Sequence, residues 1–149
     1  MSNISGSSTP SPRDVADLYL ARVGAFWGAP EDPKKSAAIA DLFADDVDWH
    51  VAGDPALVPW AGRRRTREAV RAFFPALAQG VEPRRYEVKR ILADDTMAVI
   101  VGELTSAIRS TGRLVESPFA IELTVLDGRI TRYQLHEDSY AVALGSSAR

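Results

Sequence analysis

The sequence predicts an α+β domain in which a curved antiparallel sheet wraps around the helices that precede it. Three observations carry this expectation. Apolar residues recur at helical spacing in the first half of the chain, at Val15, Leu18, Tyr19, Val23 and Phe26 and again at Val70, Phe73, Phe74 and Leu77. Beyond Pro83 the chain reads as successive strands separated by Asp94-Asp95, Ser110-Thr111-Gly112 and Asp127-Gly128. The last of these, Asp-Gly between two apolar runs, is a strong hairpin signal, so the strands flanking it pair antiparallel. Helices first and a strand meander afterwards give α+β. A curved sheet with helices on one side forms a cone, and the inside of a cone is where small-ligand sites form.

The elements follow in order. Ser11 is placed to cap a first helix, with Pro12 at its first position and Asp14 in its first turn, and Gly28-Ala29-Pro30 ends it. A second, short helix is read from Ser36, burying Ile39, Leu42 and Phe43, and is closed by Asp45-Asp46. Val47–Val51 alternates as a half-buried strand, and a loop rich in Pro and Gly runs from Gly53 to Gly62. A third helix is predicted over Thr66–Ala78, with Pro75 kinking it or marking its last turns and Gly80 as its stop. The strands are Tyr86–Leu92, Met97–Ile108, Pro118–Leu126 and Arg129–Glu137, and Asp138 is placed to cap a last segment, Ser139–Leu144.

Composition narrows the function. At 149 residues and 46% hydrophobic, the chain forms one domain with a substantial core. A net charge of −2 gives no overall pull toward nucleic acid or anionic membrane, and neither is expected as a partner. With no cysteine there is no disulfide framework, thiolate metal site or thiol nucleophile. His50 and His136 are the only histidines, so a His-rich metal site is not expected, and no metal or cofactor is assigned. No apolar stretch is long enough to span a membrane. Residues 1–12 are polar, small and Pro-rich, without the features of a signal peptide. They are expected to form a disordered tail before a single domain over 13–145, in a cytoplasmic protein.

The order of elements and several local phrases resemble the nuclear-transport-factor-2-like (NTF2-like) superfamily, and within it the SnoaL-like branch related to ketosteroid isomerase. The phrases are Leu42-Phe43-Ala44-Asp45-Asp46-Val47-Asp48-Trp49, then Trp60-Ala61-Gly62 with Thr66 through Phe74, and Asp127-Gly128-Arg129-Ile130 through Asp138. The resemblance spans most of the chain. It implies a cone-shaped sheet and a deep, mostly apolar cavity. In its enzymes, one or two acids in that cavity move a proton on a polycyclic or terpenoid molecule without a cofactor. The physical device is an apolar wall that raises a carboxyl pKa toward neutrality. Aligned on Ala44-Asp45-Asp46, the isomerase's general base falls at Val51, which cannot accept a proton, and its oxyanion acid falls at Glu122. Its first-helix tyrosine has no clear counterpart; Tyr19 lies about a turn before Arg22-Val23.

Candidate site residues are weighed against this frame. Glu122 is a lone carboxyl in an apolar strand; it is either buried with a purpose or turned to solvent, and the resemblance places it inward. Glu137 shares a strand face with Leu135 and Tyr133 and, by the resemblance, also looks into the cone. If both line the cavity, they titrate as a coupled acid–base pair. His136 and Asp138 alternate to the other face, where an interface and a helix cap are the simpler roles, although a one-residue bulge exchanges the faces. Tyr19, Trp49, Trp60 and Phe73 are expected to shape the cavity, with Trp60 in a lid. His50 should face outward and Asp54 should sit in a loop at the mouth. Arg63-Arg64-Arg65 with Arg67 and Arg71 is read as a solvated, salt-bridged face. Two functions result. One is acid–base cyclisation, isomerisation or hydration of an apolar polyketide-, steroid- or terpenoid-like metabolite; the other is a non-catalytic ligand-binding or dimerisation module of the same fold. By analogy with relatives, a homodimer is expected through the outer sheet face.

Overall fold

A computed structural model of the protein describes residues 8–147. Part of the expected tail, residues 1–7, lies outside the described residues. Residues 8–11 carry no regular structure, yet Thr9 and Pro10 lie against the turn at Gly128, where an added Cβ would stand 3.1 and 3.0 Å from them.

Helix α1 (Pro12–Gly28) starts as its sequence predicts: Ser11 and Asp14 form a capping box, each backbone N–H donating to the other's side chain at 3.1 Å. Helix α2 (Pro33–Ala40) starts three residues earlier than expected. The reason is local: Asp32 accepts from the Lys34 N–H at 3.0 Å and Pro33 occupies the first helical position, while Ser36 is buried inside the helix. Strand β1 (Phe43–Val51) then begins where a helix end was expected. The Ile130 N–H donates to the Leu42 carbonyl at 2.8 Å and draws the chain into the sheet, and Asp45-Asp46 fall where the register shifts.

A strand missed in the sequence, β2 (Gly62–Thr66), precedes α3 (Arg67–Gly80) and hides in the basic run. Four arginines of this run, Arg63, Arg64, Arg67 and Arg71, are partnered. Arg63 meets Asp48 at 3.5 Å, Arg67 meets Asp45 at 3.0 Å, Arg71 meets Glu68 at 3.4 Å, and Arg64 donates to the Ala69 carbonyl at 2.7 Å while lying over the Phe73 ring. Thr66 caps α3, accepting from the Ala69 N–H at 3.1 Å. Strands β3 (Val81–Ala93), β4 (Met97–Ile108), β5 (Leu114–Leu126) and β6 (Arg129–Glu137) follow, then α4 (Ser139–Ser146), capped by Asp138. The β5–β6 turn is the predicted tight hairpin, with Asp127 and Gly128 at φ +52° and +77°, both in the left-handed region that a type I′ turn needs.

The six strands form one curved sheet in the order β2-β1-β6-β5-β4-β3. Neighbours are antiparallel except β1 and β6, which run parallel with Trp49 opposite Tyr133 and Val51 opposite Leu135. The sheet is therefore mixed, not purely antiparallel. This became possible because helix α3 and four strands lie between β1 and β6, room enough for the long return a parallel pair requires. The fold class is otherwise as expected, α+β of the cone type. The core lies between the concave face and the helices, with Trp49, Phe26, Phe43, Phe74, Ile100 and Leu123 fully buried. Odd-numbered residues of β5, and of β6 from Tyr133 onward, point into this concave face and even-numbered ones point out, while the register shift before Val125 turns Ile130 inward as well.

Candidate functional site

Inside the cone lies a cavity of about 470 Å³. Helices α1 and α3 supply Tyr19, Trp27, Phe73 and Leu77, and the lid loop supplies Trp60. Strands supply Val51, Tyr86, Phe119, Tyr133 and Glu137, and α4 closes one side with Val142. The wall is aromatic and aliphatic, the composition of a site for an apolar molecule. Of the two charged residues on it, Arg85 turns its guanidinium to Glu87 and Glu103. Among the described residues Glu137 is left as the one carboxyl facing the interior.

Strand alternation places Glu137. It follows Tyr133 and Leu135 along the inward face of β6 and stands opposite Phe119 of β5. Among the described residues its carboxyl has no hydrogen-bond or ion-pair partner. Burial, and secondarily the charge of neighbouring Asp138, push its pKa up to about 7. At neutral pH such a group populates both protonation states, which suits it to take and return a proton.

Three phenols share the same end of the cavity. The Tyr19 and Tyr133 hydroxyls, both buried, hydrogen-bond to each other at 3.1 Å. Burial raises the Tyr19 pKa to about 12 against the opposing effect of that hydrogen bond, and it lifts Tyr133 well above the ordinary phenol range. Tyr86 is shifted upward by burial, then by the charges of Tyr19 and Glu137. All three are protonated at any physiological pH and are hydrogen-bond donors. The Tyr133 ring is fixed from below by Trp49, stacked at 3.8 Å and 6°. The Trp49 indole N–H is buried without a partner among the described residues.

The structure divides the expected site residues. Glu137, Tyr19, Trp60 and Phe73 line the cavity. Trp49 does not; it is fully buried behind the wall as the support of Tyr133. Glu122 is the principal correction. It lies on the outer face, opposite Gln134, because the register of β5 against β6 puts Phe119 and Ile121 inward and Glu122 outward. No coupled pair of Glu122 and Glu137 forms. Glu122 instead hydrogen-bonds His136 and meets Arg132 at 3.4 Å, and the His136 contact in particular holds its pKa below the usual value. Arg132 in turn reaches Asp48 at 3.7 Å, so Arg63, Asp48, Arg132 and Glu122 form a row of ion pairs across the outer face, which the Glu122–His136 hydrogen bond extends. His50 faces outward as expected, its Nδ1 3.2 Å from the Gln134 Oε1. Asp138 caps α4, accepting from the Ala141 N–H at 2.9 Å. Asp54 is exposed and accepts from the Ala56 N–H at 2.9 Å within its own turn.

Tyr86 and Phe119 were not singled out from sequence. Strand β3 shifts register between Pro83 and Arg85 and again between Val88 and Arg90, and these bulges erase the alternation that would have marked Tyr86 as inward. Among the described residues no group of three or more His, Asp or Glu side chains is arranged to hold a metal ion. Among the described residues no helix is long and apolar enough to cross a membrane.

Comparison with known proteins agrees with this architecture. An NTF2-like protein from Burkholderia xenovorans LB400 superposes with a TM-score of 0.79 at 22% identity, over 95% of this chain and 100% of that one. A candidate SnoaL-like polyketide cyclase from Jannaschia sp. CCS1 gives 0.72 at 17% identity, over 97% and 99%. A protein of ketosteroid isomerase-like fold from Catenulispora acidiphila DSM 44928, in complex with trimethylamine, gives 0.61 at 18% identity, over 87% and 86%. At these identities the likeness establishes the fold, which is NTF2-like. No protein of curated function matches the sequence. The model of the SnoaL-like domain family matches residues 26–133, well over half of the chain. The chain belongs to the SnoaL-like domain family.

Proposed function

We propose that the cavity binds a small apolar molecule and that Glu137 acts on it as a cofactor-free general acid–base. The reactions in view are cyclisation, isomerisation or hydration of a polyketide-, steroid- or terpenoid-like metabolite. The observation that carries this reading is the position of Glu137: a single unpartnered carboxyl in an apolar wall, titrating near 7. With Glu122 outside, one carboxyl must serve twice. It takes a proton from the carbon beside a carbonyl, leaving an enolate, and returns it to another carbon or to a new alkoxide. Proton-neutral reactions such as isomerisation and intramolecular aldol closure fit this count best. The related structure holding trimethylamine supports a small organic molecule as the occupant of such a fold. We also infer that a second copy of the chain covers the outer sheet face; sedimentation at micromolar concentration giving only the 16.2 kDa monomer would count against it.

The test is α-proton exchange on an enolisable bicyclic ketone in D2O, followed by NMR. Wild type should accelerate exchange, with a rate that rises with pH as Glu137 ionises and levels off above about 7. Glu137→Gln should lose on the order of 100-fold or more, while Glu122→Gln should leave exchange unchanged. Ketone binding with exchange unaffected by Glu137→Gln would sink the catalytic role and leave a binding module. That second reading has one specific support: Val51, where the resemblance places the isomerase base, lines the cavity and is apolar.

A further inference from the structure

We propose that Tyr86 anchors the ligand's oxygen, so that the cavity selects molecules carrying a carbonyl or epoxide oxygen over hydrocarbons of the same shape. The inference rests on the cavity being the ligand site and deepens that reading by naming what the ligand must carry.

The Tyr19 and Tyr133 hydroxyls share one hydrogen bond, which holds each of them against the other. Tyr86 differs. Its O–H has no hydrogen-bond partner among the described residues, although it lines the cavity. Its ring is instead held by stacking on Phe119, with centroids 4.8 Å apart and planes at 28°. Phe119 is the direct cross-strand partner of Glu137. The ring therefore positions Tyr86 from the same point of the sheet that positions the carboxyl.

Gly102 makes this stack possible. A Cβ there would stand 2.7 Å from the Phe119 Cζ and 2.1 Å from the Glu87 carbonyl oxygen, so only a bare backbone lets the Phe119 ring lie across β4 toward Tyr86. The charge of Glu137 is felt at the Tyr86 hydroxyl, yet no hydrogen bond joins the two groups. A donor and a proton acceptor thus face one space without touching. An oxygen held by the Tyr86 O–H would bring its neighbouring carbon toward Glu137. A donor on the cavity wall with no partner of its own favours a ligand that brings an oxygen over an analogue that lacks one.

The experiment compares 1-tetralone with tetralin, the same skeleton without oxygen, by calorimetric titration. Wild type should bind the ketone about tenfold or more tighter. Tyr86→Phe keeps the ring on Phe119 and should abolish that preference by weakening the ketone alone, tetralin affinity holding within about twofold. Tyr140→Phe, which removes an exposed phenol outside the cavity, should keep the preference. Equal weakening of both probes by Tyr86→Phe, or no weakening of either, would overturn the proposal, as would an equal loss of the preference in Tyr140→Phe. If neither probe binds wild type, the cavity reading falls and the inference falls with it. If Tyr86→Phe behaves as expected while exchange survives in Glu137→Gln, only the catalytic role of Glu137 is lost.

Discussion

Glu137 should make the protein less stable as the pH rises through neutrality, and Glu137→Gln should remove that dependence. The carboxyl titrates at 4.5 when unperturbed and at about 7 in the folded chain, so folded protein binds its proton more tightly than unfolded protein does. Between those two values the native state carries the extra proton, and stability falls with increasing pH. Below the unfolded value both states are protonated and nothing is lost; above about 7 both are ionised and the full penalty applies. A difference of that size corresponds to about 3 kcal/mol at most. At about 3 °C per kcal/mol for a chain of this length, the melting temperature gap between variant and wild type should widen by up to roughly 10 °C from pH 5 to pH 8. Urea denaturation of wild type and Glu137→Gln across that range measures it directly. Two parallel stability curves, separated by a constant amount at every pH, would show that Glu137 is not held at a raised pKa and would refute the reasoning.

Two further outcomes test the support of the site. Gly80→Ala would bring a methyl group within 2.2 and 2.5 Å of the Trp60 ring, so the indole must leave its place on the cavity wall; a loss of about 1–3 kcal/mol in urea denaturation and an altered tryptophan emission are expected. Asp138→Ala removes the cap of α4 and the charge beside Glu137, so it should destabilise by about 1 kcal/mol at low pH and lower the Glu137 pKa, a shift that carboxyl-detected NMR titration reads independently of folding.

What the sequence made legible was whatever local chemistry decides. The Ser11 cap, the Asp127-Gly128 hairpin and the Asp138 cap are each written in two or three residues and were found in place. Alternation put Glu137 on one face with Tyr133 and Leu135, and the resemblance turned that face into the cone, where the structure has it. What escaped depends on pairing between distant segments. Strand β2 reads as a charged loop because its arginines are solvated or bonded outside any hydrophobic pattern. The parallel pairing of β1 with β6 has no local signature at all. Glu122 was placed inward by a resemblance, whereas its own register against Gln134 puts it outside. Resemblance transfers a fold more reliably than it transfers the direction of a side chain.

The division of His136, Glu137 and Asp138 shows why one carboxyl can be kept reactive here. Each of the three has a different fate within consecutive residues: His136 extends the ion-pair row on the outer face, Asp138 is spent on the first turn of α4, and Glu137 alone is turned into the aromatic wall. The outward and capping roles fix the backbone on both sides of Glu137, so its side chain is held inward by geometry and not by any partner of its own. A partner would have lowered its pKa and satisfied it. Left without one, it is destabilising when ionised, and the surrounding frame must be rigid enough to keep it there. The Trp49–Tyr133 stack beneath and the Phe119–Tyr86 stack beside it supply that rigidity from rings that carry no charge. The consequence is specific: a change that loosens either stack should let Glu137 reach water and return its pKa toward the ordinary value. Phe119→Leu, titrated by the same carboxyl-detected NMR, should therefore show Glu137 ionising below its wild-type pH; an unchanged titration would mean that burial by the backbone alone holds the carboxyl, and that the rings serve only the ligand.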